Sequence, residues 1–336
     1  MKAKQVIGVI VAGLVMIAVG VAGIFGNIIS AKFLGTSENM SFWDCLMGDS
    51  YMTSDSLPTT DFVGVVSVVG EIGPGATDIW SSGSGYNHSM TMDYIDAMMY
   101  SDYNQGILLY IDSPGGTVYE SDELYLKLME YKEATGRPIW AYFASEACSG
   151  GYYVAMAADY IFANRNGWTG SIGVVISLLN CEGLYEKLGL EEINITSGEN
   201  KAMGSAGSEL TEEQRAILQS LVDEAYDQFV GVVCAGRNMT EERVRELADG
   251  RIYSALQAKQ NKLIDEVGSY EQCANAFIED EGISEDVYFY VPETEASDLF
   301  SLLYGLISDL KPKSDSQIAN EIAESKRNGV LMYYAK

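Results

Sequence analysis

The sequence predicts an α/β layer fold standing behind a hydrophobic N-terminal segment. Short runs rich in β-branched and aromatic residues, each closed by Gly, Pro or Asn, recur along the chain and read as buried strands. Amphipathic stretches at helical spacing lie between them, and strands alternating with helices build a sheet covered by helices. Ahead of both, Val6 to Ile29 run without a charge. At 336 residues, 47% hydrophobic and 21% charged, the chain is long enough for one or two domains with a substantial core.

Residues 1–5 form a short stub carrying Lys2 and Lys4, followed by the apolar run 6–29. A helix of that length crosses a bilayer core of roughly 30 Å. The run is longer than a signal-peptide h-region and lacks a clear cleavage site, so a retained single-pass anchor is expected. The flanking lysines place the N-terminus in the cytoplasm and the remainder outside the cell membrane. Residues 30–60, rich in Ser, Thr, Met and Asp, read as a tether. The segments 62–73, 106–116, 138–147 and 160–179 read as strands. A helix is expected over 121–133 with Leu124, Leu126, Leu128 and Met129 as its apolar residues, and a small-residue helical stretch over 150–158. Thr211 and Gln214 form a capping-box pattern opening a long helix to about Cys234, with Ile217, Leu221, Ala225 and Phe229 on one face. Thr240 and Gly250 bracket a further helix. These elements make one domain over 61–292, after which 293–336 read as a helix, a polar linker and a strand-like tail, "NGVLMYYAK".

Formal net charge is −27, so nucleic acid is a poor partner and the carboxylates read as a solubilising surface. The five cysteines, Cys45, Cys148, Cys181, Cys234 and Cys273, are widely spaced and form no C-x-x-C, which suggests neither a disulfide framework nor a zinc site. No nucleotide-binding glycine motif stands between a strand and a helix, and no cofactor or metal is implied. The single histidine, His88, sits among turn formers in "SSGSGYNHSM" and is a poor candidate for catalysis.

Ser149 is the polar residue whose surroundings supply geometry. In "ASEACSGGYYVAMAADYIF" a strand runs into small residues and a helix opens at about Gly150, which places the serine beside free backbone N–H groups. An N-cap serine packed by glycines reads the same way from this stretch alone. A second glycine pair, Gly115 and Gly116 in "YIDSPGG", ends another strand and adds bare amides. With histidine unsuited, the base for such a serine would be a lysine or a carboxylate. Lys127 and Lys132 lie on an acidic helix and read as surface partners, Lys127 four residues after Glu123. Lys201, between "NITSGEN" and "AMGSAGS", has few charged neighbours, although most loop lysines are simply exposed.

Taken together, "IDSPGGTVYESDELY", "ACSGGYYVAMAADYIFA", "TGSIGVV", "SGENK" and "DGRIYSALQAKQNKLIDEVG" resemble the signal peptide peptidase A family of membrane-anchored serine peptidases, over most of residues 60–275. The resemblance implies a Clp-protease-like or crotonase-like fold and a Ser-Lys dyad. Ser149 would be the nucleophile and Lys201 the general base, Gly116 and Gly150 would supply oxyanion N–H groups, and Ser171 would orient the lysine. It further implies hydrophobic signal-peptide remnants as substrates, attacked at the membrane, and a homo-oligomeric ring in which serine and lysine can come from neighbouring subunits. Two positions depart from the family pattern: Cys148 stands where alanine is usual, and Lys262 where glycine is usual. Alternatives are a peptidase partnered with a stomatin-like membrane protein, a non-catalytic membrane scaffold, and an acyl-CoA enzyme of the same fold. The tail 330–334 is expected either to add an edge strand to the domain or to enter an active-site groove.

Overall fold

The computed structural model describes residues 57–74, 85–284 and 286–292, together with the backbone of 332–334. The expected anchor at 6–29, most of the tether at 30–60 and the helix and linker expected over 293–331 lie outside the described residues. No helix among the described residues is long and apolar enough to cross a membrane.

The chain builds a mixed α/β fold by repeated parallel crossovers. Strand β1 (Phe62–Val69) leads to helix α1 (His88–Met99), opened by Asn87, whose side chain accepts from the Met90 N–H at 3.0 Å. The chain returns as β2 (Asn104–Ser113), parallel to β1 with Val65 opposite Leu108. Pro114 then turns it into the short β3 (Gly115–Thr117) and helix α2 (Val118–Thr135), which ends at Gly136 in the left-handed conformation. Strand β4 (Ile139–Cys148) lies parallel to β2, followed by helix α3 (Gly150–Ala155), β5 (Tyr160–Ala163) and β6 (Trp168–Gly170).

Beyond β6 come α4 (Glu182–Leu188), the long α5 (Glu212–Arg237), α6 (Glu241–Leu247), β7 (Ile252–Ser254) and α7 (Ala255–Gln260). Then follow β8 (Glu266–Val267), α8 (Tyr270–Asp280), β9 (Tyr288–Tyr290) and, at the tail, β10 (Met332–Tyr334). Eight strands form one sheet along the path β7-β6-β4-β2-β1-β9, with β5 also on β4 and β8 on β5. Only β6–β7 is antiparallel within it. Strand β4 forks the sheet: Trp140 to Phe143 pair with β5, whereas Glu146 to Cys148 pair with β6. The second sheet is the pair β10–β3.

Both faces of the main sheet are covered, which is why its strands read as nearly continuous apolar runs. One face carries the larger core, in which Val66, Leu109, Ala141 and Phe143 meet Leu124, Leu128, Tyr152, Tyr153 and Phe229. On the other, Val63, Leu108, Trp140 and Phe162 pack against Cys273 and Phe277 of α8.

Several expectations shift. Helix α2 is longer than 121–133 and buries Ser121, Leu124, Leu128 and Tyr131, spaced at three to four residues, together with Glu120, while Leu126 and Met129 face outward. Helix α5 carries its capping box, but of the predicted face only Ala225 and Phe229 are buried, because the helix meets the core only in its second half. The expected strand over 160–179 is two short strands, and beyond Ile172 the chain leaves the core.

Candidate active site

The site forms where β3, β4 and β6 end. Ser113 ties the turn before β3: its Oγ donates to the Gly70 carbonyl at 2.6 Å and accepts from the Gly115 N–H at 3.1 Å. Ile72 then runs beside β3, donating to the Gly115 carbonyl at 2.8 Å and accepting from the Thr117 N–H at 2.9 Å. Position 116 must be glycine, because a Cβ there would fall on the Ile72 carbonyl. Sequence reasoning singled out the glycines and passed over Ser113, whose one signal was its place immediately before Pro114.

Ser149 closes β4 with φ 53° and ψ −115°, a conformation unfavourable for any residue with a Cβ. Two backbone bonds hold it there: its N–H donates to the Gly170 carbonyl at 2.7 Å, and its carbonyl accepts from the Tyr153 N–H at 2.9 Å. Its side chain is treated differently. Ser149 is 1% exposed, and its Oγ is the only buried side-chain nitrogen or oxygen among the described residues with no hydrogen-bond partner. A capping serine would accept a hydrogen bond from a backbone N–H of the first helical turn, and Ser149 makes none. Because the Ser149 N–H is occupied, the amide available beside the hydroxyl is that of Gly150, the first residue of α3. Helix α3 is too short to contribute much of a dipole. It packs on β3, so the Gly116 and Gly150 segments lie together.

Ser171 follows Gly170 directly and is 8% exposed, with φ 49° fixed by its N–H donating to the Arg251 carbonyl at 2.8 Å. Its residue lines a cleft of about 360 Å³ with Gly173, Val174, Tyr226 and Gly250. Ser149, Gly150, Gly116 and Ser171 therefore lie on elements that pair or pack around one point. Lys201 is not hydrogen-bonded to any of them. It sits in an exposed turn, its N–H donating to the Gly198 carbonyl at 3.2 Å, and its side chain forms no ion pair or hydrogen bond among the described residues.

The competing groups are accounted for. Cys148, next to the serine, is fully buried, and burial pushes its thiol up to about 12, with Glu146 adding to the shift. It is held as the inert thiol. His88 is not a loop residue: it is the first residue of α1, 8% exposed, with Nδ1 2.6 Å from the Tyr86 hydroxyl and Nε2 2.8 Å from Glu123. Lys127 pairs with Asp96 and Glu130, at 2.9 and 2.8 Å, rather than with Glu123, and Lys132 with Asp159 at 2.5 Å.

A mostly parallel sheet with a strand that ends in a strained, buried serine with an unpartnered hydroxyl, beside glycine backbone amides, suits a serine-type hydrolase. Residues 131–284 match Peptidase family S49. A provisionally named signal peptide peptidase SppA of Enterococcus faecium is 42% identical over 57% of this chain and 55% of its own length. A provisionally named protease of Methanocaldococcus jannaschii is 34% identical over 64% of this chain and 68% of its own length. Protease 4 of Haemophilus influenzae is 30% identical over 76% of this chain but only 41% of its own length. The chain belongs to peptidase family S49, the family of SppA-type serine peptidases. It spans little more than half of the Enterococcus relative.

Proposed function

We propose that the chain is a membrane-anchored serine endopeptidase on a Clp-protease/crotonase-like fold, degrading remnant signal peptides after preprotein processing. Ser149 is its nucleophile and Lys201 its general base. The observation that carries this reading is the buried, unpartnered Ser149 hydroxyl on a strained turn, since a fold holds such a group at a cost only where something else engages it. In the proposed reaction Ser149 Oγ attacks the scissile carbonyl while Lys201 Nζ takes its proton. The Gly116 and Gly150 N–H groups receive the developing oxyanion. The protonated lysine then gives its proton to the leaving amine, and water hydrolyses the acyl-enzyme with the same base. Ser171 orients the amine.

The place of Lys201 favours a base supplied within an assembly. The segment around it carries Leu184, Leu188, Leu190, Ile193 and Ile195 exposed, the last at 97%, a solvent-facing apolar density that a neighbouring copy would cover. A homo-oligomeric ring accounts for both the arm and the unengaged lysine. The E. faecium relative's name points to signal peptides. An extracytoplasmic domain on a single span suits apolar substrates left in the bilayer.

The test is covalent labelling with a fluorophosphonate, mapped to its residue, alongside peptide cleavage. Ser149→Ala and Lys201→Ala are each expected to lower cleavage at least about 10³-fold, while His88→Ala, if folded, stays within a few-fold of wild type. Label on a residue other than Ser149, or loss of activity confined to the histidine variant, refutes the assignment.

A further inference from the structure

We propose that the cleft lined by Tyr110, Tyr142, Tyr270 and Asp112 is a binding site for an alkylammonium or guanidinium group, the kind that a lysine or arginine side chain carries. The cleft measures about 400 Å³ and lies on the face of the main sheet that α8 covers. Side chains alternate along a strand, so Leu108, Tyr110 and Asp112 of β2 share that face, Leu108 in the core and Asp112 half-buried at the strand's end. Tyr142 of β4 is in register with Tyr110, and their rings stack at 6.0 Å with planes 30° apart. Tyr270, which opens α8, stands across both at 68° and 84°, its centroid 6.0 Å from Tyr110 and 5.4 Å from Tyr142. The rings make a floor and a wall. Tyr142 is buried, but Tyr110 and Tyr270 are only half-buried and leave ring surface at the cleft, where an aromatic face attracts a cation.

The polar groups around the rings decide the sign of the ligand. The Ser145 hydroxyl donates to Asp112 Oδ1, which also accepts from the Glu146 N–H at 3.3 Å. Those bonds fix the carboxylate, and its Oδ2 receives no hydrogen bond among the described residues. The Asn164 amide is committed as well: its Nδ2 donates to the Tyr142 hydroxyl at 3.2 Å and its Oδ1 accepts from the Asn166 N–H at 3.0 Å. With these donors spent, the cleft offers chiefly a carboxylate oxygen, phenol oxygens and ring faces, which suit a cation and repel an anion. Burial, and then Asp112, push the neighbouring Glu146 carboxyl above its usual range, so the two negative groups oppose each other across the strand ends. Neither has an ion-pair partner among the described residues, whereas Lys127, Lys132 and Arg237 each hold a carboxylate elsewhere. A cation seated on Tyr110 and Tyr270 would supply the missing charge. On the peptidase reading, the basic n-region of a signal peptide presents such groups; the chemistry of the cleft stands without that reading.

The probes are the Nα-acetyl amides of lysine, arginine and norleucine, the last a neutral analogue of lysine. Binding to the full chain is read from the ligands' own signals by saturation-transfer NMR, with no use of catalytic activity, and the thermal midpoint is followed in parallel. The lysine and arginine probes are expected to bind at least about tenfold more tightly than the norleucine probe. Asp112→Asn, which keeps an acceptor for Ser145 and Glu146, should weaken them about five- to tenfold. Tyr270→Leu should weaken them about two- to fivefold. Glu133→Gln, which removes one charge from the exposed side of α2, should leave them unchanged. Norleucine binding as tightly as lysine would reduce the cleft to an apolar hollow, and equal losses in Asp112→Asn and Glu133→Gln would reduce the effect to the chain's net charge; either result overturns the site. If Asp112→Asn lowers the midpoint so far that it does not fold, the comparison of lysine with norleucine on the wild type and on Tyr270→Leu decides alone. Absence of binding in a chain whose Ser149 still takes the fluorophosphonate label removes the cation site and leaves the peptidase reading intact.

Discussion

Ser149 combines two local costs: a left-handed backbone on a residue with a Cβ, and a buried hydroxyl with no partner. An unsatisfied buried hydroxyl costs about 1–3 kcal/mol, so Ser149→Ala is expected to unfold at higher denaturant than wild type, by about 1 kcal/mol, while losing cleavage. A lower midpoint would mean that the hydroxyl is satisfied after all. Lys262 is a parallel case away from the site. It has φ 62°, its carbonyl accepts from Arg237 Nε at 2.9 Å, and it stands where glycine is usual in the family resembled. The left-handed penalty of about 1–2 kcal/mol predicts that Lys262→Gly raises stability by roughly 1 kcal/mol and leaves activity untouched. The thiol of Cys148 gives a pH-dependent contrast. Held up to about 12 by burial, it is protonated when folded at every pH where the unfolded thiol ionises, from about 8.5. Its stabilising contribution is therefore complete below the unfolded value and lost as pH climbs towards the folded one. Iodoacetamide at pH 8 should leave Cys148 unmodified in native protein and label it once unfolded, as peptide mass mapping would read.

At the scale of elements, β3 is the segment whose form is most tightly dictated. Gly116→Ala would drive a methyl into the Ile72 carbonyl, so it is expected to abolish cleavage, uncouple Ile72 from β3 and lower the thermal midpoint. Normal activity in that variant would show that the Gly116 amide takes no part. Much of this architecture was legible beforehand: strands closed by Gly or Pro, the capping box of α5, and the serine between β4 and α3 follow from local chemistry. What was not legible depended on which neighbours are present. Leu126 and Met129 have the same composition as Leu124 and Leu128, and only the location of the core separates them. Ile217 and Leu221 continue a regular apolar face, yet among the described residues Leu221 is left exposed and Ile217 only half-buried. The Ser149 backbone angle and the silence of its hydroxyl carry no sequence signal at all, whereas the left-handed Lys262 showed itself only as a departure from glycine.

For the whole molecule, a formal charge of −27 makes nucleic acid a poor partner. If residues 6–29 anchor the domain beside embedded substrates, a form starting near Ser37 should hydrolyse small peptide esters as the full chain does and lose efficiency only towards bilayer-embedded peptides. If serine and lysine meet across a ring interface, mixing inactive Ser149→Ala and Lys201→Ala protein should restore activity, to about a quarter for random closed rings. No recovery after subunit exchange would place both groups in one copy.

The fork in β4 has a consequence for how the molecule loosens. Residues Ile139 to Phe143 pair continuously with β2 in the central parallel sheet, but beyond a register shift Glu146 to Cys148, which lead into Ser149, pair with the small β6–β7 ribbon and meet β2 only through Ala147 opposite Ser113. The strand crosses from one hydrogen-bonded neighbourhood to the other at Ala144 and Ser145. Proteins open in cooperative sub-units of unequal stability, and this division makes the ribbon and the serine a unit able to yield while the sheet beneath stays closed. Amide exchange should therefore fall into two classes within one strand, slow through Phe143 and faster from Glu146 onward. A single rate along β4 would mean that the reactive end and the core rise and fall together.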